Sequence, residues 1–485
     1  MKKFGVAFKI VFYYVIPAFF IASYLFTAVQ EVQYGLNRDY AEGTTISFVE
    51  KWRASESPRV LYSDENFEQG NITGYPFVHL GLVSTFSHDV ASALSSGRVL
   101  SIISALLIAV MAWLILANFN LAQLIHLPLV ITIILYQTAV FDWSLLARAD
   151  ILAALFEALG IFLYMRSFKA SQTNLAPSLI CFMIAFFCKQ NIIAGLLLVF
   201  SFEMLRAPMQ TLKTSPIYLV IVGAVLGVVT WVFGLGYWEH TVTQLGGQDW
   251  HFSRLAQMLS SYFVSHLYIF ILSLAALFFL PLEKSLKNLF IAWIAIGFFL
   301  LLLGLGRAGS NYNYFITLSI PLGILTFLSI QQLIGTEATG RSIVAIVIVG
   351  IFMCAAYTEN HGLAGRLTYL DHRAWPPTRA DAEKAKENTK SHLAAFSATN
   401  LFCDEPGICA LLGFTPDFTY FENNMNSRLS RQKSFDHYDT LLLTEYPSES
   451  LAWTNFKLPE GFVKTIHEKY ELRRISDLGF IFTRK

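Results

Sequence analysis

The sequence has few charged side chains. Only 14% of its 485 residues are Asp, Glu, Lys or Arg, whereas a soluble domain normally carries about 25%. Apolar residues make up 55%, and the mean hydropathy is +0.51. This balance excludes an ordinary water-soluble protein and predicts a membrane protein. The formal net charge is +1, so no basic field predicts a nucleic-acid partner.

Cysteine is also scarce. Five cysteines are too few for a disulfide framework. Cys181, Cys188 and Cys354 fall in apolar runs, where thiols usually act as small buried hydrophobes. Cys403 and Cys409 lie together in a polar tail, where a bridge forms if that tail faces an oxidising compartment.

The long apolar runs predict an all-α polytopic fold. No small-residue cleavage site follows the first run, so it is predicted to be a retained helix. A run of about twenty apolar residues can cross the roughly 30 Å hydrocarbon core. Hydropathy predicts about eleven spans, over residues 8–29, 98–118, 121–140, 151–165, 175–190, 191–206, 216–236, 261–281, 288–305, 314–334 and 342–357.

The distribution of basic residues predicts the orientation. With the N-terminus in the cytoplasm, most Lys and Arg residues near short loops fall inside, as the positive-inside rule requires. The inner set is Lys2, Lys3, Lys9, Arg166, Lys169, Arg206, Lys213, Lys284, Lys287 and Arg341. Eleven spans then place the loop of residues 30–97 and the tail of residues 358–485 outside. The second placement depends on counting 175–206 as two helices.

The two large non-spanning segments differ in kind. In the first loop, Thr44–Ala54 has apolar residues at helical spacing, and the run after Tyr75-Pro76, PFVHLGLVSTF, is too short to span comfortably. Both predict interfacial helices. The tail alternates a helical stretch with short apolar runs and turn residues, which predicts a small C-terminal α/β domain. Residues 1–357 would then form the membrane domain.

Unusual polar residues collect at the predicted outer membrane edge. Charged groups near hydrocarbon are costly unless paired or solvated, so such a cluster indicates a functional site. Singly, each has a simpler explanation: Arg148 can pair with Asp150, and Lys189 can extend to the interface. Five loops that send polar groups to one face favour a site. Its members are Asp39, Glu42, Trp143, Arg148, Asp150, Lys189, Gln190, His240, Arg307, Asn311 and Asn313.

The ordered motifs resemble the GT-C superfamily of integral-membrane glycosyltransferases. The resemblance rests on RDYAEG after the first span, GYPFVHLGLVSTF, SSGRVLSIISALL, WSLLARADILAALFEALGIFLY, AFFCKQNIIAG and GRAGSNYNYFITLSIPLGIL. The resemblance covers roughly residues 8–334. Within the superfamily, the sequence is similar to lipid A aminoarabinose transferases, lipopolysaccharide galacturonosyltransferases and protein O-mannosyltransferases. The sequence departs from the family pattern at Tyr40, which follows Asp39 where relatives have a second acid, and at a single Pro76.

The resemblance implies roles for these residues. Asp39 matches the catalytic aspartate and Asp150 the second acid, with Glu42 as the displaced carboxylate. Lys189 matches a residue that contacts the lipid phosphate. Arg307 and His240 are further cations that suit a phosphate. We assign substrate binding to Arg148, Gln190, Asn311, Asn313, Tyr75 and Trp143. No cofactor is implied with certainty, and a divalent metal stays open.

The implied reaction is inverting transfer of a sugar from a polyprenyl (undecaprenyl) phosphate. The partners are that donor, a glycan or lipid acceptor, and membrane lipid. Modification of O-antigen or lipopolysaccharide at the periplasmic face of the bacterial inner membrane is the favoured reading. A polyprenyl-linked glycan polymerase or ligase, or a lipid-linked sugar transporter, is the alternative. A polymerase usually carries its large loop late in the chain, and a transporter more often shows inverted repeats.

Overall fold

The computed structural model is mostly helical. It describes residues 10–55, 57–63, 73–170, 175–246, 250–307, 310–335, 379–404, 406–414, 438–444, 452–453, 456–457 and 460–485. The main helices before residue 336 are α1 Val11–Gln33, α2 Tyr40–Ala54, α3 Phe77–Thr85, α4 Val90–Asn118, α5 Leu124–Leu135, α6 Thr138–Ser144, α7 Ala149–Lys169, α8 Ala176–Cys188, α9 Ala194–Arg206, α10 Pro208–Phe233, α11 Phe252–Phe279, α12 Lys284–Leu305 and α13 Tyr312–Ile334. Short helical turns also occur at Pro58–Tyr62, Gly236–Trp238 and Glu239–Thr243.

Seven of the described helices are long and apolar enough to cross a membrane, or eight if the bent pair α5 and α6 is one span. The predicted count of eleven is therefore not confirmed. Residues 175–206 form two short helices, α8 and α9, separated by a break after Lys189. The run predicted at 342–357 lies outside the described residues.

The run predicted as a straight span over 121–140 is bent. Helices α5 and α6 meet at 83°. Gln137 leaves the helical conformation at the bend, and its side-chain amide donates to the Ser319 carbonyl at 2.7 Å. This contact holds the bend against α13, the most deeply buried span. The bend turns the chain back towards the start of α7, where several of the predicted site residues lie.

The first loop contains the two helices predicted for it. Asp39 begins α2, which extends the predicted segment by one turn at its N-terminal end. Helix α3 follows Pro76, whose fixed φ favours a helix start directly after it. Helix α3 packs beside α2, α4 and α8, so the loop lies against the membrane helices near the starts of α4 and α7.

The C-terminal part is a small α/β unit, as predicted. Its elements are α14 Arg379–Ala395, β1 Leu401–Cys403, α15 Pro406–Leu412, β2 Thr440–Leu443, β3 Ala452–Trp453, β4 Phe456–Lys457, α16 Glu460–Lys469, β5 Tyr470–Ser476 and β6 Gly479–Arg484. The main sheet has the order β1-β2-β6-β5, with β1 and β2 parallel and the other pairs antiparallel. Strands β3 and β4 form a separate hairpin.

Helix α15 joins this unit to the first loop. A disulfide connects Cys403 of β1 to Cys409 of α15. At the contact with α2, a Cβ added to Gly407 would lie 2.5 Å from the Gly43 Cα. Only glycine at both positions allows the two backbones to approach this closely. The soluble unit therefore rests on the helix that Asp39 begins.

Candidate active site

Asp39 occupies the N-cap of α2. Its Oδ1 accepts a hydrogen bond from the Glu42 amide at 2.6 Å, as aspartate commonly does at this position. Its Oδ2 accepts from Arg148 Nη1 at 2.7 Å. The side chain is 12% exposed. One carboxylate is thus held by a helix end and by a cation from another element, with a small opening to the outside.

Glu42 has a different position. It is fully buried, and its two oxygens accept four hydrogen bonds, from the Arg38 amide, the Ala147 amide and two nitrogens of Arg98. Arg98 is buried too and also donates to the carbonyl of Glu31, at the end of α1, and to those of Tyr34 and Leu36, between α1 and α2. The Glu42 carboxylate is saturated by these partners. The pair fastens the first loop to α4 and to the segment before α7.

Asp150 connects the remaining charged residues. It lies in the first turn of α7, where a carboxylate is favoured by the helix dipole. Its Oδ1 accepts from Lys189 Nζ, and from Asn313 Nδ2 at 2.7 Å. Its Oδ2 lies 3.3 Å from Arg148 Nε, close enough for an ion pair but without hydrogen-bond geometry. Asp39, Arg148, Asp150 and Lys189 therefore form one chain of alternating charge.

Backbone geometry explains why Lys189 reaches this chain. It is the C-cap of α8 and has an extended conformation at the break before α9. Its ammonium lies 6.0 Å from the ring centre of Tyr75, and the Arg148 guanidinium carbon lies 5.7 Å from that of Trp143. Both aromatic rings are within the range of a cation–π contact. The four predicted residues Asp39, Arg148, Asp150 and Lys189 thus share a site with Tyr75, Trp143 and Asn313.

Two other predicted residues bind main-chain groups in the structure. Gln190 donates to the Gly74 and Thr241 carbonyls at 3.1 and 2.7 Å. His240 accepts from the Thr73 amide at 3.0 Å with Nδ1, and its Nε2 lies 3.3 Å from the Ser63 carbonyl. Both residues therefore tie the first loop to the segment before α11.

The remaining predicted residues lie before α13. Asn311 accepts from the Tyr312 amide at 2.7 Å and begins a helical turn. Arg307 pairs through its main chain with Trp250, in an isolated β-bridge. Arg254 donates to the carbonyl of Ser310 at 2.5 Å. Trp250, just before α11, and Arg254, in its first turn, hold this segment, which presents Asn313 to Asp150.

Burial affects the proton affinity of the site. It raises the pKa of the Asp39 carboxyl, while the positive charge of Arg148 opposes that change. Burial lowers the pKa of the His79 imidazole to about 4; Asp150 opposes this, and Lys189 adds to it. Asp39 is therefore more basic than a free aspartate, and His79 is neutral at pH 7.

Sequence reasoning left two residues of this region without a role. Arg98 stood in the motif SSGRVLSIISALL and His79 in GYPFVHLGLVSTF. A lone arginine at the start of a span, and a lone histidine within an apolar helix, were the available signals. Neither signal identifies a partner, because the partners come from distant parts of the chain. Within the described residues, no group of three or more His, Cys, Asp or Glu side chains could hold a metal ion.

Comparison with solved structures identifies the architecture. ArnT from Cupriavidus metallidurans bound to undecaprenyl phosphate superposes with a TM-score of 0.59, over 96% of this chain and 97% of ArnT. The apo state of that ArnT gives a TM-score of 0.57 over the same shares. This chain has the ArnT fold. Sequence identity is only 11% and 10%, so the likeness establishes the fold alone, a polytopic helical membrane protein with a small C-terminal α/β unit.

Sequence comparison adds no relative. No protein-family model matches the chain, and no curated protein matches it. The ArnT likeness spans almost the whole of both chains, so it includes the C-terminal unit as well as the membrane helices.

Proposed function

We propose that this protein is an inverting glycosyltransferase whose donor is a sugar linked to a polyprenyl phosphate. The observation that carries the proposal is the buried charge chain from Asp39 through Arg148 and Asp150 to Lys189. It brings a carboxylate of raised pKa and an ammonium group into one site beside membrane-spanning helices. The ArnT fold, one of whose structures holds undecaprenyl phosphate, supports the choice of lipid.

In the proposed reaction, Asp39 is the general base. The acceptor hydroxyl attacks the anomeric carbon and its proton passes to an Asp39 oxygen. A new bond forms between the acceptor oxygen and that carbon, while the bond from the carbon to the phosphate oxygen breaks. A single displacement of this kind inverts the anomeric centre. A raised pKa makes Asp39 a stronger base than a free carboxylate.

The leaving polyprenyl phosphate gains negative charge, and Lys189 is placed to stabilise it. A fixed cation in a water-poor site is worth more than the same cation in water. An ammonium group has three donors, so Lys189 can contact a phosphate and keep its bond to Asp150. Asp150 then has a positioning role, because its ion pairs fix Lys189 and Arg148 in the site. We propose that the sugar binds in a site lined by Tyr75, Trp143 and Asn313.

The proposed setting is the periplasmic face of a bacterial inner membrane. The basic residues of the predicted inner loops support a cytoplasmic N-terminus. The contact of Gly407 with Gly43 supports a placement of the C-terminal unit on the same side as the first loop. The Cys403–Cys409 bridge suits an oxidising compartment. A periplasm-dependent reporter fused after Lys485 should be active; an inactive one would contradict this orientation.

The acceptor we favour is O-antigen or another part of lipopolysaccharide. Mass spectrometry of surface glycans and lipids, with and without the gene, should show loss of one sugar. The direct assay is release of undecaprenyl phosphate by the purified protein from undecaprenyl-phosphate sugars. Absence of release with every tested sugar and acceptor, in protein that melts cooperatively, would reject the proposed function.

Lys189 is tested in the same assay. Lys189→Ala should weaken use of the lipid donor more than use of the acceptor, because its proposed partner is the phosphate. Lys189→Arg keeps the charge with a different donor geometry and should restore only part of the activity. Lys169→Ala, at the far end of α7, is the matched control. An unchanged KM for donor in Lys189→Ala would remove Lys189 from the phosphate site.

A further inference from the structure

His79 is a buried histidine of the first loop. It lies in α3 and is fully buried. Neither of its ring nitrogens has a hydrogen-bond partner among the described residues. Buried polar atoms in proteins are nearly always paired, because an unpaired one forfeits its bonds to water. An unpaired imidazole beside a candidate active site therefore needs a reason.

The other buried histidines of the described chain show that this arrangement is not general. His240 bonds main-chain groups of the first loop. His266 contacts the Tyr262 carbonyl and the Thr138 hydroxyl through its two nitrogens. His126 lies in the first turn of α5, and its Nδ1 accepts a hydrogen bond from the Gln123 main-chain amide at 3.0 Å. His79 differs from all three in having no such bond.

The surroundings of His79 combine an apolar wall with charge. Its helix neighbours Val78 and Leu82 pack into the apolar cluster between α7 and α8. The charges that act on the ring are those of Asp150, from α7, and Lys189, from the end of α8. Asp150 Oδ2 and Asn313 Oδ1 also have no hydrogen-bond partner among the described residues. Unpaired polar atoms thus concentrate around the Asp150–Lys189 pair.

We propose that the His79 imidazole donates a hydrogen bond to the donor phosphate beside Lys189. This inference rests on the proposed function and extends it by adding a binding residue. A neutral imidazole carries one N–H donor, and a phosphate oxygen is a strong acceptor. The phosphate would supply the partner that the described chain does not. Its negative charge would also raise the proton affinity of the ring, so binding at low pH would be accompanied by proton uptake.

The experiment measures binding of undecaprenyl phosphate to the full chain in detergent micelles, with undecaprenol as the phosphate-free comparison. His79→Leu removes the donor and keeps an apolar side chain in an apolar wall. His79→Gln keeps an N–H donor that does not titrate. His88→Leu is the matched control, since that histidine follows the same helix and its side chain is 84% exposed.

We expect His79→Leu to bind undecaprenyl phosphate ~10-fold or more weakly, the usual scale for a lost hydrogen bond to a charged group. His79→Gln should stay within a few-fold of the parent and His88→Leu should equal it. Binding by His79→Leu within twofold of the parent overturns the inference. Equal weakness of the Leu and Gln variants also overturns it, because ring packing would then explain the loss.

Failure of the proposed function would look different. The parent protein would then bind undecaprenyl phosphate no better than undecaprenol, and both proposals would fall together. If His79→Leu melts far below the parent, His79→Met replaces it, because Met also lacks an N–H donor and adapts to irregular apolar space. His79→Met should bind undecaprenyl phosphate ~10-fold or more weakly than the parent. Binding within twofold of the parent overturns the inference.

Discussion

Replacement of Asp39 by Asn gives the sharpest test of the mechanism. Asn keeps the size of the side chain and is as good an N-cap as Asp, so the bond from the Glu42 amide can remain. The lost ion pair costs about 1–3 kcal/mol of stability, and Arg148 keeps Asp150 at 3.3 Å. Asn cannot take the acceptor proton. General base catalysis contributes about 10²–10⁴-fold, so turnover should fall by that factor.

The assay is release of undecaprenyl phosphate by purified protein, with thermal melting as the check on folding. Asp89→Asn is the matched control, because Asp89 is the N-cap of α4 and also accepts a main-chain amide bond at 2.6 Å. Its side chain is 59% exposed, and it has no role in the proposed reaction. Activity of Asp39→Asn within a few-fold of Asp89→Asn would refute the base assignment.

The pH dependence of kcat/KM provides a second test of Asp39. A base must be deprotonated, so kcat/KM should fall as pH drops through the pKa of Asp39. Since burial raises that pKa, the acid limb should lie above about pH 4, the usual value for aspartate. The residual activity of Asp39→Asn should lack this limb. An acid limb that persists unchanged in the variant would assign it to another group.

Two further predictions concern stability. Arg98→Met leaves the Glu42 carboxylate buried without its cation, so melting should show a loss of about 3–5 kcal/mol. Arg53→Met breaks a partly exposed pair with Glu50 and a surface bond to the His88 carbonyl, and it should cost at most about 1 kcal/mol. Gly407→Ala places a Cβ against backbone and should cost about 1–3 kcal/mol, whereas Gly227→Ala has open space and should be neutral. Equal melting within either pair would contradict the contact described.

Much of the architecture could be predicted from apolar run length, because length decides whether a helix can span. The bend between α5 and α6 could not. Residues 121–140 are mostly apolar, and hydropathy averages over Gln137 without registering that its amide donates to the Ser319 carbonyl. The same averaging hides the break after Lys189, where one extended residue separates two short helices.

The site was predictable in part, for a physical reason. Asp39, Asp150 and Lys189 each lie at a helix end, and ends on one side of a membrane must lie near one another. Roles were harder to predict than places. Glu42 and Asp39 are carboxylates three residues apart, and their environments distinguish them, since two nitrogens of Arg98 and two main-chain amides donate to Glu42. Arg98 and Ala147 are distant from Glu42 in sequence, so no local sequence pattern predicts these contacts.

The glycine contact between α2 and α15 has a consequence for biogenesis. Gly43 is made early and Gly407 late, and the backbone of each occupies the space that a side chain on the other would need. The helix that begins with Asp39 therefore cannot reach its final packing until the ribosome has delivered α15 and that segment has crossed to the same side. A nascent or truncated chain would carry Asp39 on a helix that lacks this packing partner. Under the proposed function, full activity would then require synthesis of the chain through α15.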